Sequence, residues 1–527
     1  MSRRLHLPVI LFFAALLALG LAVHRDYGIS WDEPFQRFTG AVTVKHLAEK
    51  FAPSLVSGEA ARLPALAGYI DRDHGTAFEA PAVALEALLG LTDKRDIFML
   101  RHLLTFLVCF AGAIALYGLA ARRFSDWRLG LLAVLLLALS PRLFAESFYN
   151  SKDAVFMAAF AIALNTATAF VLSPGIRTAL LYAVATGFAI DIRIMAVILP
   201  AASIAILALR LVRGELAVQR TVVAGAVYLA VAFAAAVAMW VWLWADPVGN
   251  FLEAFASMAK FRYPGDTLYR GAHILGTELP WHYIPVWLSI TTPPFYLALF
   301  VVGTTAILWR LAARGWRLWQ GDEELQDLFF LGLVVLPVLA VIVLQSVLYG
   351  GWRHLYFIYP AFLLVAVRGW LWLWNTASTS RVLRAGLVLV TALSLVHTAA
   401  WMWRAHPLQN VYFNALAGSN LKARYDLDYW GLANRMALEY ILRHDPGATI
   451  VVQADSETPL QNTIDMLTPA ERQRLKVAGD GEPAAYVLNN YHGFKEPDLS
   501  RYQVGYDLFY EIVIDGEVIL SVFKRRA

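Results

Sequence analysis

Two adjacent carboxylates, Asp32 and Glu33, follow shortly after the first apolar stretch of the chain, residues 7–23. A positioned carboxylate can remove the proton from a hydroxyl group while that oxygen attacks a carbon centre, and a second carboxylate can orient the first. The same pair could instead complement the dipole of a helix that begins here, with Ser30 as its cap. The pair is therefore a candidate catalytic site, with a solvated helix start as the alternative.

Basic side chains stand at the ends of other apolar stretches, where they could bind an anionic group such as phosphate. The candidates are Lys152, Arg193, Arg353 and His354. A guanidinium beside a departing phosphate would stabilise the negative charge that develops on its oxygens. The alternative is an interfacial anchor, because long basic side chains at span ends commonly extend to the membrane surface.

Two more residues are candidates for the same site, and no metal site is predicted. Asp153 could contribute to the phosphate site or cap a helix, and His74 could contact a substrate or be an ordinary loop histidine. The twelve histidines show no metal-ligand spacing, and the single cysteine, Cys109, lies in an apolar run. Spacing therefore indicates no metal, although scattered carboxylates could recruit a divalent ion.

The composition requires that much of the chain faces lipid. Of 527 residues, 59% are apolar and only 16% are charged, whereas a soluble chain carries about 25% charged residues. The apolar excess is not one large core, because single soluble cores stop growing near roughly 250–300 residues. The net charge of +4 is dispersed and nearly balanced, which excludes a nucleic-acid partner.

Eleven stretches are candidates to cross a hydrocarbon layer of roughly 30 Å. They are residues 7–23, 98–120, 129–141, 154–172, 178–190, 194–212, 221–245, 285–309, 328–348, 354–374 and 385–403. The two short stretches, 129–141 and 178–190, predict tilted, broken or re-entrant segments. Residues 1–403 are thus predicted to form a polytopic α-helical membrane domain with a large first loop at 24–97.

The distribution of basic residues predicts the orientation. With Arg3 and Arg4 in the cytoplasm, the cytoplasmic connectors hold fourteen basic residues and the short outer connectors hold seven, as the positive-inside rule expects. An odd number of spans then places residues 404–527 on the same outer face as the first loop. A cleaved signal peptide is the alternative interpretation of the first stretch.

Residues 404–527 have the charge density of a soluble domain and predict an extracytoplasmic α/β fold. Apolar periodicity predicts a helix near 432–442, and strand-like runs occupy 449–452 and 485–488. A capping box at 468–471 predicts a further short helix. A hairpin is predicted at 510–523, turning at Asp515-Gly516.

The candidate residues lie at the outer ends of spans whose centres are nearly free of ionisable groups. A transporter more often holds its charges and broken helices near the midplane. The pattern favours a one-sided site at the membrane boundary, which suits a substrate whose lipid tail stays in the bilayer while its phosphate meets basic side chains. A transporter or flippase of a lipid-linked saccharide is the main alternative. A scaffold whose tail binds a partner is the third.

Four segments resemble those of the GT-C class of membrane glycosyltransferases, in particular bacterial relatives of the dolichyl-phosphate-mannose protein mannosyltransferases and the aminoarabinose lipid A transferases. They are Asp32-Glu33 after the first span, residues 140–153, residues 353–360, and residues 411–432 of the tail. Family members often carry a His-Pro-Pro or Lys-Pro-Pro segment late in the first loop. Here the nearest stretch is His74-Gly75-Thr76, which departs from that pattern.

The resemblance implies a GT-C-like glycosyltransferase of the bacterial inner membrane, with its active site facing the periplasm or outside. It implies a polyprenyl-phosphate-linked sugar donor, a lipid, glycan or protein acceptor, and inversion at the anomeric carbon. Asp32 is implied as the base, with Glu33 next in line. Lys152, Arg193, Arg353 and His354 are implied to hold the donor phosphate, with Asp153 and His74 close by.

Overall fold

The computed structural model describes residues 6–259, 261–315, 317–479, 481–493 and 505–526. Within these ranges the chain is mainly helical, with a small sheet near its end. The α-helices are α1 (Leu7–Val23), α2 (Asp32–Phe51), α3 (Gly58–Arg62), α4 (Glu79–Leu88), α5 (Lys94–Arg123), α6 (Trp127–Ala138), α7 (Pro141–Tyr149), α8 (Asp153–Leu172), α9 (Ile176–Ile192), α10 (Ile198–Val212), α11 (Val218–Met239), α12 (Pro247–Ala259), α13 (Tyr283–Thr291), α14 (Pro294–Ala313), α15 (Asp322–Val343), α16 (Tyr359–Thr376), α17 (Arg381–Ala405), α18 (Ala433–His444), α19 (Leu460–Asp465) and α20 (Pro469–Gln473).

Short 3-10 helices and strands complete the fold. The 3-10 helices are Pro53–Leu55, Leu66–Gly68, Ile194–Val197, Val241–Trp244, Arg353–Ile358, Ala377–Thr379, Gln409–Val411, Ala415–Ala417 and Leu421–Ala423. The strands are β1 (Asp266–Tyr269), β2 (Ala272–Leu275), β3 (Ile450–Ala454), β4 (Leu475–Val477), β5 (Tyr486–Asn489), β6 (Tyr506–Ile514) and β7 (Glu517–Arg525).

Eight helices of the described chain are long and apolar enough to cross a membrane. They are Lys94–Arg123, Asp153–Leu172, Ile194–Val212, Val218–Met239, Pro294–Ala313, Asp322–Val343, Arg353–Thr379 and Arg381–Ala405. Two of the other predicted spans correspond to α1 and α9, each only 17 residues long. The helical membrane domain is confirmed, and the span count of eleven stays a prediction.

Proline explains the breaks in two of the predicted spans. The stretch 129–141 is one limb of a pair, α6 and α7, bent by 72°. Pro141 stands at the start of α7 and cannot donate the backbone hydrogen bond that would continue α6. Likewise, Pro293 separates α13 from α14 within the predicted span 285–309. The bend places α7, followed by residues 150–152, between α6 and α8.

The first loop is fastened to α5 by a buried group of charges. Arg101 on α5, which is 1% exposed, forms ion pairs with Glu79 and Glu86 of α4. Arg37 of α2 also pairs with Glu86 at 2.8 Å, so one carboxylate bridges the loop and the bundle. Buried charges are stable only when paired and hydrogen-bonded in this way. The loop is therefore a fixed part of the fold.

The tail contains a five-stranded mixed sheet in the order β4-β3-β5-β7-β6. Strand β3 pairs in parallel with β4 and β5, whereas β7 pairs antiparallel with β5 and β6. The predicted α/β tail is confirmed, including the helix α18, strands β3 and β5, and the capping box of α20. Asp515 and Gly516 both have positive φ, as the predicted hairpin turn requires. The short strand β4 was not predicted.

The tail and the first loop lie together at one end of the helix bundle, called the loop face below. Arg435 of α18 donates to the backbone oxygens of Arg25 and Tyr27 at 2.6 and 2.9 Å. His406, just after α17, lies 2.9 Å from Asp26. The two polar blocks predicted to share a face are thus in direct contact. Arg3 and Arg4, which supported the predicted orientation, lie outside the described residues.

Candidate functional site

One cavity of about 390 Å³ lies at the loop face, where the first loop meets the ends of several helices. Five of the eight predicted site residues line it: Asp32, His74, Lys152, Arg193 and His354. These residues come from α2, the first loop, the start of α8, the segment after α9 and the 3-10 helix before α16. Distant parts of the chain therefore converge on one cavity, as the sequence predicted.

The rest of the cavity wall is mainly apolar. The apolar lining residues include Ile194, Met195, Val197, Ile198, Trp240, Phe255, Met258, Pro337, Ala340, Val341 and Leu344. Most of them belong to the candidate spans that contain α10 and α15 or to the amphipathic helix α12. The cavity thus combines charged groups from loops and helix ends with the apolar walls of membrane helices. That combination fits an amphiphilic ligand.

Asp32 is joined to Arg193 by a chain of ion pairs. Arg353 Nη1 lies 2.6 Å from Asp32 Oδ2 and 3.5 Å from Asp153 Oδ2. Arg193 pairs with the other oxygen of Asp153. Asp153 is buried, whereas the Asp32 side chain is 35% exposed. The arrangement fixes one Asp32 oxygen and leaves Oδ1 without a hydrogen bond to any residue that the structure describes.

Arg353 also contacts two aromatic rings, which the sequence did not predict. Its guanidinium carbon lies 4.8 Å from the centre of the Tyr349 ring and 4.6 Å from that of Trp430. Tyr349 belongs to the same turn, in which Gly350 and Gly351 both have positive φ, a conformation that favours glycine. Trp430 belongs to the tail, so the tail takes part in the site.

Lys152 presents a cation to the cavity. Its ammonium nitrogen has no hydrogen bond or ion pair with another described side chain, although the residue lines the cavity. Burial lowers the pKa of Lys152 to about 7, and the nearby Arg193 acts in the same direction, while Asp153 and Asp32 oppose the change. An anion in the cavity would therefore bind the protonated lysine and favour that form.

Glu33 lies beside Asp32 in sequence but points to a different environment. Its carboxylate accepts hydrogen bonds from the backbone and hydroxyl of Ser30 at 2.8 and 3.2 Å, and its other oxygen lies 2.9 Å from His102. The residue is only 2% exposed and does not line the cavity. These contacts are those of a helix start and a link to α5, so the structure brings Asp32 into the site and not Glu33.

His74 lies at the cavity beside two carboxylates that the sequence did not single out. Its Nδ1 is 3.3 Å from Asp73 and 3.9 Å from Asp71, and both aspartates line the cavity. Burial alone would raise the pKa of Asp73, but His74, Ser257 and Arg262 outweigh it and hold the pKa at about 2. Asp73 is therefore charged at neutral pH, and His74 is anchored by it.

Hydrogen bonds to two further carboxylates, Asp191 and Glu146, support the wall of the cavity. Asp191 accepts a 2.6 Å hydrogen bond from the backbone of Ala77, tying the end of α9 to the first loop. Glu146 accepts hydrogen bonds from Tyr356 at 2.8 Å, Tyr429 at 3.3 Å and Asn150 at 2.7 Å. Asn150 also accepts from the backbone of Asp153. The buried network thus orients the segment that carries Lys152 and Asp153.

The described residues contain no group of three or more His, Cys, Asp or Glu side chains that could hold a metal ion. Several carboxylates around the cavity are instead paired with cations, as Asp32 is with Arg353 and Asp153 is with Arg193. Asp73 likewise pairs with His74 and Arg262.

The described chain forms a polytopic helical membrane fold with a cavity at its loop face. No protein-family model matches the chain, and no curated protein matches its sequence. Solved structures similar to it include ArnT from Cupriavidus metallidurans bound to undecaprenyl phosphate, with 12% identity, 97% of each chain covered and a TM-score of 0.47. The same protein in the apo state gives 14% identity, 97% of each chain and a TM-score of 0.49.

A third similar structure is the oligosaccharyltransferase AglB from Archaeoglobus fulgidus in complex with an inhibitory peptide and a dolichol-phosphate. It has 11% identity and a TM-score of 0.43, covering 96% of this chain and 74% of its own. The two ArnT structures and the AglB structure are similar to this chain over nearly its whole length. These structures are similar to this chain in the path of the backbone, at low sequence identity.

Proposed function

We propose that this protein is a membrane glycosyltransferase that moves a sugar from a polyprenyl-phosphate-linked donor to a hydroxyl acceptor, with inversion at the anomeric carbon. The observation that carries the proposal is one cavity in which the candidate base Asp32 and the basic side chains of Lys152 and Arg193 meet the apolar walls of membrane helices. A lipid-linked phosphosugar has matching parts: an apolar tail, an anionic phosphate and a polar sugar.

The donor phosphate would be held by Lys152 and Arg193. Lys152 has no ion pair with any residue that the structure describes, and Arg193 pairs with Asp153 through one nitrogen while lining the cavity. His354 lies on the same wall. Arg353, which the sequence assigned to phosphate, does not line the cavity and is engaged by Asp32. We assign to Arg353 the orientation of the base, with its charge still close to the departing phosphate.

Asp32 would act as the general base. Its Oδ1 takes the proton from the acceptor hydroxyl as that oxygen bonds to the anomeric carbon, while the bond from that carbon to the phosphate oxygen breaks. The electron pair leaves with the polyprenyl phosphate, whose added charge meets Lys152 and Arg193. A single displacement of this kind inverts the anomeric configuration. Holding both reactants in line supplies roughly 7–11 kcal/mol of the barrier.

The loop face is proposed to be extracytoplasmic, in a bacterial inner membrane. The support is the excess of arginine in the connectors at the opposite end of the bundle, which the positive-inside rule places in the cytoplasm. Membrane lipids would surround the spans. The acceptor would be a lipid, glycan or protein hydroxyl that approaches from the aqueous side of the cavity, near Asp32. We also propose that residues 1–403 and 404–527 are its two domains.

The test is transfer of radiolabelled sugar from a polyprenyl phosphate donor by the purified protein in lipid nanodiscs. Wild-type protein should yield labelled acceptor and free polyprenyl phosphate, and Asp32→Asn should lose about 10²–10⁴-fold in rate, the usual contribution of general-base catalysis. Asp26→Asn is the matched control, because Asp26 is a half-exposed carboxylate of the same loop that does not line the cavity. Near-normal turnover by Asp32→Asn would reject Asp32 as the base. Translocation of intact donor in proteoliposomes without transfer would instead identify a transporter.

A further inference from the structure

Trp430 of the tail lies over the guanidinium that holds the candidate base. It is one of the largest fully buried side chains of the protein, at 1% exposure. Its ring centre is 4.6 Å from the guanidinium carbon of Arg353. The residue is separated from Arg353 by most of a span, all of α17 and the first part of the tail, so its position depends on the folded tail.

The hydrogen bonds of Arg353 do not fix its orientation by themselves. Both of its ion pairs, to Asp32 and Asp153, use the same nitrogen, Nη1. The Nε atom is buried and has no hydrogen-bond partner among the described residues. A planar group held at one corner can still rotate about that corner. The rings of Tyr349 and Trp430 are therefore what fixes the plane of the guanidinium, through stacking and cation–π attraction.

The tail holds Trp430 in place from both sides. Asp428 accepts hydrogen bonds from the backbone of Leu432 at 3.2 Å and of Ala433 at 2.9 Å, and it receives one from Asn410. The backbone of Gly431 donates to Asp428, which closes the turn that carries Trp430. The turn also packs against the first loop, where any side chain at Gly28 would collide with the backbone of Leu432.

We propose that Trp430 is a positioning residue that orients Arg353, and through it Asp32, so that the tail completes the site. The effect on rate rests on the glycosyltransferase function proposed above, whereas the contact itself does not. Trp430 touches neither substrate in this scheme, and its role is exerted through Arg353. The tail is then a required part of the catalytic unit and not an accessory domain.

The first test compares Trp430→Leu with Trp430→Phe in the transfer assay. A desolvated cation–π contact is worth about 2 kcal/mol, so Trp430→Leu should lower kcat/KM by roughly 30-fold. Trp430→Phe keeps an aromatic face and should recover most of that loss. Trp401→Leu is the matched control, since Trp401 is a buried tryptophan that joins α17 to Asp515 of the tail away from Arg353. Equal losses in Trp401→Leu and Trp430→Leu would overturn the proposal.

The second test does not depend on activity. Thermal unfolding of the detergent-solubilised protein is measured for Trp430→Leu, Arg353→Met and the double variant. If the two side chains act together, the shift in Tm of the double variant is clearly smaller than the sum of the single shifts. Additive shifts would overturn the proposal even if Trp430→Leu were inactive. Coupled shifts in a protein that transfers no sugar would support the positioning contact while refuting the proposed function.

Discussion

The titration of Lys152 gives the most direct check on the assignment of the phosphate site. Burial sets the pKa of its ammonium group at about 7, and only the protonated form attracts an anionic phosphate. The protonated fraction falls from about nine-tenths at pH 6 to about one-tenth at pH 8. Because kcat/KM reports the ionisation of the free enzyme, kcat/KM for the donor should fall about tenfold between these two pH values.

The assay is initial-rate transfer in nanodiscs from pH 5.5 to 9, with limiting donor and saturating acceptor. The donor is a phosphodiester, whose charge stays constant over this range, so the enzyme alone titrates. Lys152→Arg retains a positive charge at every pH tested and should remove the fall above pH 7. Lys152→Met should show low donor use throughout, with a kcat/KM at pH 6 close to that of the wild type at high pH.

His74 is another titratable group near Lys152, and it needs a control. Burial, aided by the charge of Lys152, lowers the pKa of His74 below its usual value, although Asp73 opposes the change. His74→Gln should therefore alter only the acidic side of the profile. A fall near pH 7 that persists unchanged in Lys152→Arg would refute the assignment of that titration to Lys152, and so would a wild-type profile that is flat from pH 6 to 9.

Two further predictions concern stability and the shape of the cavity. Glu33→Gln should lower Tm in a thermal unfolding assay, with a loss of about 1–3 kcal/mol because the buried contacts of the Glu33 carboxylate with Ser30 and His102 are disrupted; unchanged stability would contradict the helix-start role. Gly75→Ala should lower transfer sharply, because a methyl group at residue 75 would collide with the backbone oxygen of Asp191 at the cavity wall. Full activity in Gly75→Ala would contradict this prediction, because the cavity wall would then have moved to make room for the methyl group.

The membrane domain and the tail were largely predictable because their signals are local. Apolar runs identify spans by composition alone, and the Asp515-Gly516 turn and the capping box depend on residues only a few positions apart. The break at Pro141 was harder to predict, because a proline inside an apolar run can either kink a span or end it. The surrounding helices decide between these outcomes, and they are not visible in a local stretch.

The candidate site was predictable as a region but not as a set of contacts. Residue type and position at span ends brought together Asp32, Lys152, Arg193 and His354, which do share one cavity. Residue type and position alone could not decide which of the adjacent carboxylates belongs to the site. The difference depends on His102, a residue 69 positions after Glu33 in the chain. Only the folded chain reveals that Asp32 lines the cavity, whereas Glu33 holds the start of a helix.

The role of Trp430 could not be predicted from the sequence, for a related reason. Tryptophans at span ends are common in membrane proteins as interfacial residues, and this chain has 17 tryptophans. Residue type does not distinguish Trp430 from the others, although it lies in the tail segment 411–432 that resembles the GT-C class. The signal that could have drawn notice is the nearby pair Asp426 and Asp428 in a segment otherwise rich in aromatic residues, since buried acidic groups need partners.

The buried ion pairs of Arg101 with Glu79 and Glu86 constrain the order in which parts of the chain insert and fold during synthesis. During translation, the two glutamates leave the ribosome before the arginine that neutralises them. Burying Glu79 without that partner costs several kcal/mol, whereas Glu86 has a second cationic partner in Arg37. Complete docking of the loop therefore has to wait until the helix that carries Arg101 has entered the bilayer. The loop therefore reaches its final structure only after this helix has inserted into the membrane. A fully docked loop is accordingly a sign that the helix has inserted.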